Sequence, residues 1–187
     1  MRKSREATAE GRDLIVQTGA RMIRERGIEG TSVAEVMAAA GRTHGGFYRH
    51  FQTKDALVQA CLDAAFDQML TVIADPPPAE GRRGFEAFAR FYLSDDHLLN
   101  PGFGCPAAAL SSEIAWAPDG TRAVFTRGMD RMIAAVAETL DVGPADREVE
   151  ATRRLILLIG AMSTARAVDA PLALALRKAA LDSVLAA

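Results

Sequence analysis

At 187 residues, with 49% hydrophobic and 25% charged side chains, the chain can bury a sizeable core and lies far from the composition of disordered proteins. The charged opening from Met1 to Glu6 is unlike a secretory leader or anchor, and the longest plainly apolar run, Leu155 to Met162, falls short of a bilayer span; a cytoplasmic protein without membrane association is expected. Two widely separated cysteines, Cys61 and Cys105, exclude a disulfide framework and a CxxC metal ribbon, and no metal or other cofactor is implied. The net charge of −2 is unevenly spread: residues 1 to 55 carry ten Lys/Arg against seven Asp/Glu, and the rest twelve against seventeen. That asymmetry points to an anion-binding head on an acidic body.

Apolar residues recur at helical spacing between proline and glycine breaks, and period-two alternation is nearly absent, so the expected fold class is all-α with about nine helices. The first runs from about Ser4 to Arg26, burying Ile15, Gly19, Met22 and Ile23, and stops at Gly27. Ser32 with Glu35 three residues on forms a capping-box pattern that starts a short second helix through Ala40. Gly41 breaks the chain, Thr43 can cap again, and a third short helix reaches about His50, with Phe47 and Phe51 read as core residues. Two short helices joined by a glycine turn make a helix-turn-helix.

Thr53 caps a long fourth helix that ends before Pro76-Pro77-Pro78. A fifth spans about Gly81 to Leu93, a loop occupies Ser94 to Gly104, and a sixth runs from Pro106 to near Pro118. The seventh covers about Gly120 to Leu140, the eighth Ala145 to Val168, and Pro171 opens the ninth. Residues 1–52 read as one domain that carries the helix-turn-helix and 53–187 as a second, larger helical domain.

The segment from Gly41 to Lys54 is the most specific. Two adjacent glycines, Gly45 and Gly46, cost roughly 1 kcal/mol each in a helix relative to alanine, and close backbone approach to a DNA groove is a reason to keep them. Around them Thr43, His44, Tyr48, Arg49, His50 and Lys54 supply the donors that phosphates and base edges require. Thr31-Ser32, Ala38-Ala39-Ala40-Gly41, Gly45-Gly46-Phe47-Tyr48-Arg49-His50-Phe51 and Lys54 together resemble the DNA-binding head of the TetR family of transcriptional regulators, closely over about residues 12 to 60.

That resemblance implies that Tyr48, His50 and Lys54 hold phosphates, that Ser32 and Thr43 stand at capping positions near the DNA backbone, and that His44, Gly45 and Gly46 face bases. Gly46 departs from the Thr or Ala frequent in the family, which shifts reading toward Arg42, His44 or Arg49. Arg2, Lys3 and Arg5 are either an arm that adds a DNA contact or a solvated terminus. The resemblance further implies a homodimer through about residues 145–187, a palindromic double-stranded DNA operator, repression as the usual mode, and release by a small-molecule effector.

In the body, Leu155, Ile156, Ile159 and Met162 on one helix and Leu172, Leu174, Leu176, Leu181, Val184 and Leu185 on the next leave several faces to bury, in a dimer or an internal core. Phe66, Phe88, Tyr92, Trp116, Phe125 and Met129 are read as candidate ligand-binding residues, with ordinary core packing as the alternative for most. Cys105, before Pro106, stands at a helix N-terminus that favours a reactive thiolate; it is read either as a redox or electrophile sensor or as a small residue at a tight corner. An enzyme with Cys105 as nucleophile and His97 as base is the competing class, and it lacks an orienting carboxylate. A helical interaction module is the third, and leaves the glycine pair unexplained.

Overall fold

The computed structural model describes residues 2–77 and 81–186, with side chains from residue 8 onward. Nine α-helices and two short 3-10 helices lie among these residues, and no strand. They are α1 (Arg2–Arg26), α2 (Val33–Ala39), a 3-10 helix (His44–Arg49), α3 (Lys54–Ala74), α4 (Gly84–Tyr92), α5 (Asp95–Leu99), a 3-10 turn (Pro101–Phe103), α6 (Pro106–Ile114), α7 (Asp119–Glu138), α8 (Arg147–Ala165) and α9 (Ala170–Leu185).

The caps that start α2 and α3 act as their residue types dictate. The Ser32 hydroxyl accepts from the Glu35 N–H at 3.2 Å while the Glu35 carboxylate accepts from the Ser32 N–H at 2.9 Å, a closed capping box. Thr53 accepts from the Ala56 N–H at 3.1 Å, and Asp169 caps α9 through the Leu172 N–H at 3.1 Å. Gly41, at φ +64°, ends α2 in the left-handed conformation, and bonds from Gly41 N to Ala38 O and from Arg42 N to Met37 O close the helix end.

Two apolar clusters hold the chain together. The head cluster gathers Ile15, Ile23, Val36, Met37, Phe47 and Phe51, and extends into α3 through Leu57, Cys61 and Leu62 and into the body through Leu110, Ile114 and Val124. The body cluster joins Phe66, Met69 and Ile73 of the later part of α3 to Phe88, Tyr92, Cys105, Met132, Leu155, Leu158 and Met162. Helix α3 is therefore a shared spine. It has the length and apolar composition of a membrane span, but its apolar positions are filled by packing from both clusters.

Two expectations change. The segment from Ser94 to Gly104 is structured rather than a plain loop: Ser94 caps α5 through the His97 N–H at 3.2 Å. Three arginines from distant helices tie this segment down. Arg24 of α1 donates to Gly104 O at 2.9 Å, Arg166 beyond α8 to His97 O at 2.8 Å, and Arg177 of α9 to Leu93 O at 2.8 Å and to Asp95 at 2.6 Å. Helix α4 also starts later than expected, at Gly84, after Gly81 and Gly84 both take positive φ.

Candidate DNA-reading surface and regulatory core

The expected third α-helix is a six-residue 3-10 helix. Gly45 and Gly46 bring little intrinsic support for an α-helix, and the short segment is held at both ends by packing. Phe47 is 3% exposed and Phe51 4%, their rings stacked at 5.8 Å, and the Arg12 guanidinium lies over Phe51 at 4.9 Å. With Phe47 buried as the anchor, the residues around it turn outward.

Arg42, Thr43, His44, Gly45, Tyr48 and Arg49 are all exposed, while Gly46, His50 and Lys54 are half-buried. Tyr48 is 70% exposed, its ring edge-on to Phe47 at 5.3 Å, so an aromatic hydroxyl is presented to solvent from a fixed base. A shallow groove of about 290 Å³ runs past Met37, Gly41, Arg42, Thr43, Gly46, Arg49 and His50. Arg42 and His50 border α1, where both approach Gly11.

A Cβ on Gly45 would meet nothing within 4 Å, and one on Gly46 would touch Thr43 Oγ1 only at 3.4 Å. Neither glycine is required by packing or by positive φ. Thr43 is the N-cap of the 3-10 helix but makes no side-chain cap bond, leaving its hydroxyl available. The Ser32 hydroxyl, by contrast, donates to Glu35 at 2.6 Å, and its hydrogen bonds are the main reason the Glu35 carboxyl is held below its ordinary range. The side chains of Arg2, Lys3 and Arg5, the possible DNA arm, lie outside the described residues.

In the body the structure gathers most of the expected ligand residues and separates one. Phe66, Phe88, Tyr92 and Cys105 are fully buried; Phe66 meets Phe125 edge-on at 5.4 Å and Phe88 meets Tyr92 at 5.5 Å. Phe125 and Met129 are half-buried against the same cluster. Gly128 leaves no room for a Cβ because the Phe66 ring lies against it. Trp116 does not join them: it stands 91% exposed beyond the end of α6, because Ala115 to Pro118 turn the chain outward before α7.

Of the two readings of Cys105, the resting structure has the small residue at a tight corner. Cys105 is the N-cap of α6, but its thiol is fully buried, and burial raises its pKa despite hydrogen bonds that pull the other way. Its backbone N–H donates to His97 Nε2 at 2.9 Å, and His97 Nδ1 lies 2.6 Å from Tyr92 O. Since Nε2 accepts, Nδ1 carries the proton and the imidazole is neutral. Burial pushes its pKa down to about 4. The ring therefore bonds the Cys105 backbone, an arrangement that positions the loop.

The link from this loop to the head was not visible in the sequence. Arg24, 4% exposed, donates to Ala20 O at 3.0 Å, Gly104 O at 2.9 Å and Gln68 at 2.6 Å; burial lowers its pKa to about 10, so it stays charged. Gln68 also bonds Gln17 of α1. Cys61 sits where α1 and α3 meet, against Gly19, buried and with its thiol pushed up to about 12 by desolvation.

Helices α8 and α9 both expose apolar residues. Val149 is 73% exposed, Ile156 62%, Leu172 48% and Leu174 60%, and Gly160 has open space above it. Leu155 and Met162 of the same helix as Ile156 are buried in the body cluster.

Residues 15–61 match the family model described as bacterial regulatory proteins, tetR family. Over 135 residues the chain is 26% identical to the transcriptional repressor NemR of Escherichia coli K12, covering 71% of this chain and 68% of that protein. The crystal structure of reduced E. coli NemR superposes with a TM-score of 0.74 at 22% identity, over 94% of this chain and 95% of that one. The regulator TtgR of Pseudomonas putida is 38% identical over 64 residues, 34% of this chain and 30% of TtgR. The structure of AibR in complex with isovaleryl coenzyme A and operator DNA has a TM-score of 0.60 at 21% identity, over 93% of this chain and 97% of that one.

Proposed function

The chain belongs to the TetR family of bacterial transcriptional regulators, and from that premise we propose that it is a cytoplasmic repressor that binds a palindromic operator as a homodimer and lets go when a small molecule or electrophile reaches its body. It is a regulator rather than an enzyme. The observation that carries the reading is the bare Gly45-Gly46 backbone: nothing among the described residues requires it, and Thr43, His44, Tyr48 and Arg49 surround it as exposed donors. Residues 1–52 read DNA, with Tyr48, His50 and Lys54 on phosphates, Arg42, His44, Gly45, Gly46 and Arg49 toward bases, and Ser32 and Thr43 beside the backbone. Ser32 acts there first as a cap, since its hydroxyl is held by Glu35.

Residues 53–187 dimerise and receive the signal. The exposure of Val149, Ile156, Leu172 and Leu174 and the open space at Gly160 support pairing through about residues 145–187, and two-fold symmetry then sets two reading heads on half-sites about 34–36 Å apart. The cluster of Phe66, Phe88, Tyr92, Phe125 and Met129 is the effector region. A change there reaches α1 through the Arg24 bond to Gly104, next to Cys105. For an electrophile to reach Cys105 the segment must open, so that reaction and release of Arg24 would occur together.

The test is a salt-dependent shift assay on promoter DNA beside the coding sequence. Tyr48→Ala with Lys54→Ala weakens binding by roughly 100-fold and lowers the salt slope by about 2; unchanged binding and slope would overturn the assignment. Alkylation that releases DNA equally from the wild type and Cys105→Ser would remove the cysteine trigger while leaving the repressor reading intact.

A further inference from the structure

A crevice of about 380 Å³ lies where the turn after α1, the start of α3 and the connection from α6 to α7 meet. Its walls come from three places. Ile28 and Glu29 belong to the turn after α1, Lys54, Asp55 and Val58 to the start of α3, and Glu113, Trp116 and Thr121 to the end of α6 and the start of α7. The volume is that of a small-molecule site. Three features of its lining agree on the chemistry of an occupant.

The first is aromatic. Trp116 is 91% exposed at the mouth, the largest unburied apolar surface among the described residues, and its neighbours Ile28 and Val58 make the adjoining wall apolar. The second is charge. Glu29, Asp55 and Glu113 place three carboxylates around the crevice against the single ammonium of Lys54, and none of the three carboxylates is paired with a cation among the described residues. Glu113 is oriented by neutral donors only, accepting from the Ile28 N–H at 2.8 Å and the Glu29 N–H at 3.3 Å, so its charge is held in place without being neutralised. The third is an unmet hydrogen bond. Thr121 is 2% exposed and lines the crevice, yet its hydroxyl has no partner among the described residues, a state that buried hydroxyls rarely keep.

We propose that this crevice is a binding site for an amphipathic organic cation, such as an alkylated or aromatic ammonium, whose apolar body covers Trp116 and whose positive end faces the carboxylates. A cation over an indole face is attracted by the ring quadrupole, and more so as water is displaced. A ligand that also carries a hydrogen-bonding group satisfies Thr121. The anionic alternative is disfavoured by the three-to-one excess of carboxylates over ammonium. The site deepens the reading of the chain as an effector-controlled regulator and rests on it for its biological sense. Occupancy itself can be measured without DNA.

Trp116 is the only tryptophan in the chain, so its fluorescence reports on this site alone. Benzyltrimethylammonium is titrated into the full-length protein, with benzenesulfonate and the neutral isostere neopentylbenzene as comparators. The expected result is a saturable change in emission with a Kd of about 1 mM or tighter for the cation, at least fivefold weaker for both comparators. Glu29→Gln and Thr121→Val should each weaken cation binding by threefold or more. Thr121→Val replaces an unpartnered buried hydroxyl with a methyl of the same shape, so it keeps the fold, which far-ultraviolet circular dichroism checks. No saturable change, equal response to the comparators, or wild-type affinity in either variant would overturn the proposal. A protein that binds the cation but not the promoter DNA refutes the regulator reading and leaves the site standing.

Discussion

The head and the body of this molecule use their aromatic residues in opposite ways. In the head, Phe47 is buried so that Tyr48, next to it, can be 70% exposed on a fixed base. In the body, Phe66, Phe88 and Tyr92 are buried against one another, and the one tryptophan is left outside at the junction. Apart from the Ser32 cap, the candidate contact residues of the head are distinct from its buried aromatic anchors, whereas in the body the candidate effector residues are also the core. Mutations should separate stability from function in the first region and mix them in the second.

The largest expected effect breaks the body. Phe66→Ala removes a ring that packs against Gly128 and Phe125, and should cost about 4 kcal/mol in denaturant unfolding. Tyr48→Ala, by contrast, should move the unfolding midpoint by less than about 0.5 kcal/mol while weakening DNA binding. If Tyr48→Ala proves as destabilising as Phe66→Ala, the contrast between the two regions fails.

A smaller effect sharpens the contrast through pH. His97 is buried neutral, with its pKa down to about 4 from an ordinary 6.5. Below pH 6.5 the unfolded chain takes up a proton that the folded one refuses, so its contribution is fully present above that value and is lost as the pH falls toward 4. The loss should approach about 3 kcal/mol, measured as the denaturant midpoint at stepped pH, and the slope in this window should flatten in His97→Gln. An unchanged slope in that variant would show that the Cys105 segment is not held by a neutral imidazole. The smallest effect lies in the head: Ser32→Ala opens the capping box and should cost about 1 kcal/mol, with the Glu35 carboxyl returning toward its ordinary pKa in an NMR titration.

The head was legible because its signals are local. Ser32 and Glu35 stand three residues apart, Thr53 directly precedes α3, and Gly41 takes the positive φ that a helix stop requires. Even there the helical type was misread, since the balance between α and 3-10 geometry over His44–Arg49 is set by how Phe47 and Phe51 pack. In the body, the short helix α5 had a local signal in Ser94 followed by Asp95 and Asp96, but one turn of helix is not stable alone. Arginines from α1, α9 and the end of α8 hold it in place. The carbonyls that Arg24, Arg166 and Arg177 bond lie 69 to 84 positions away in the chain.

By itself, then, the sequence determined the helical class, the Ser32 and Thr53 caps and the local resemblance to the tetR family model, because each depends on residues close to one another in the chain. Only the tertiary structure decided that Cys105 is sealed in, that Trp116 stands apart from the other aromatics, and that Arg24 joins the head to the Cys105 segment. Those outcomes follow from which helix faces meet. That is a matter of burial and desolvation between distant segments, for which neighbouring residues carry no signal.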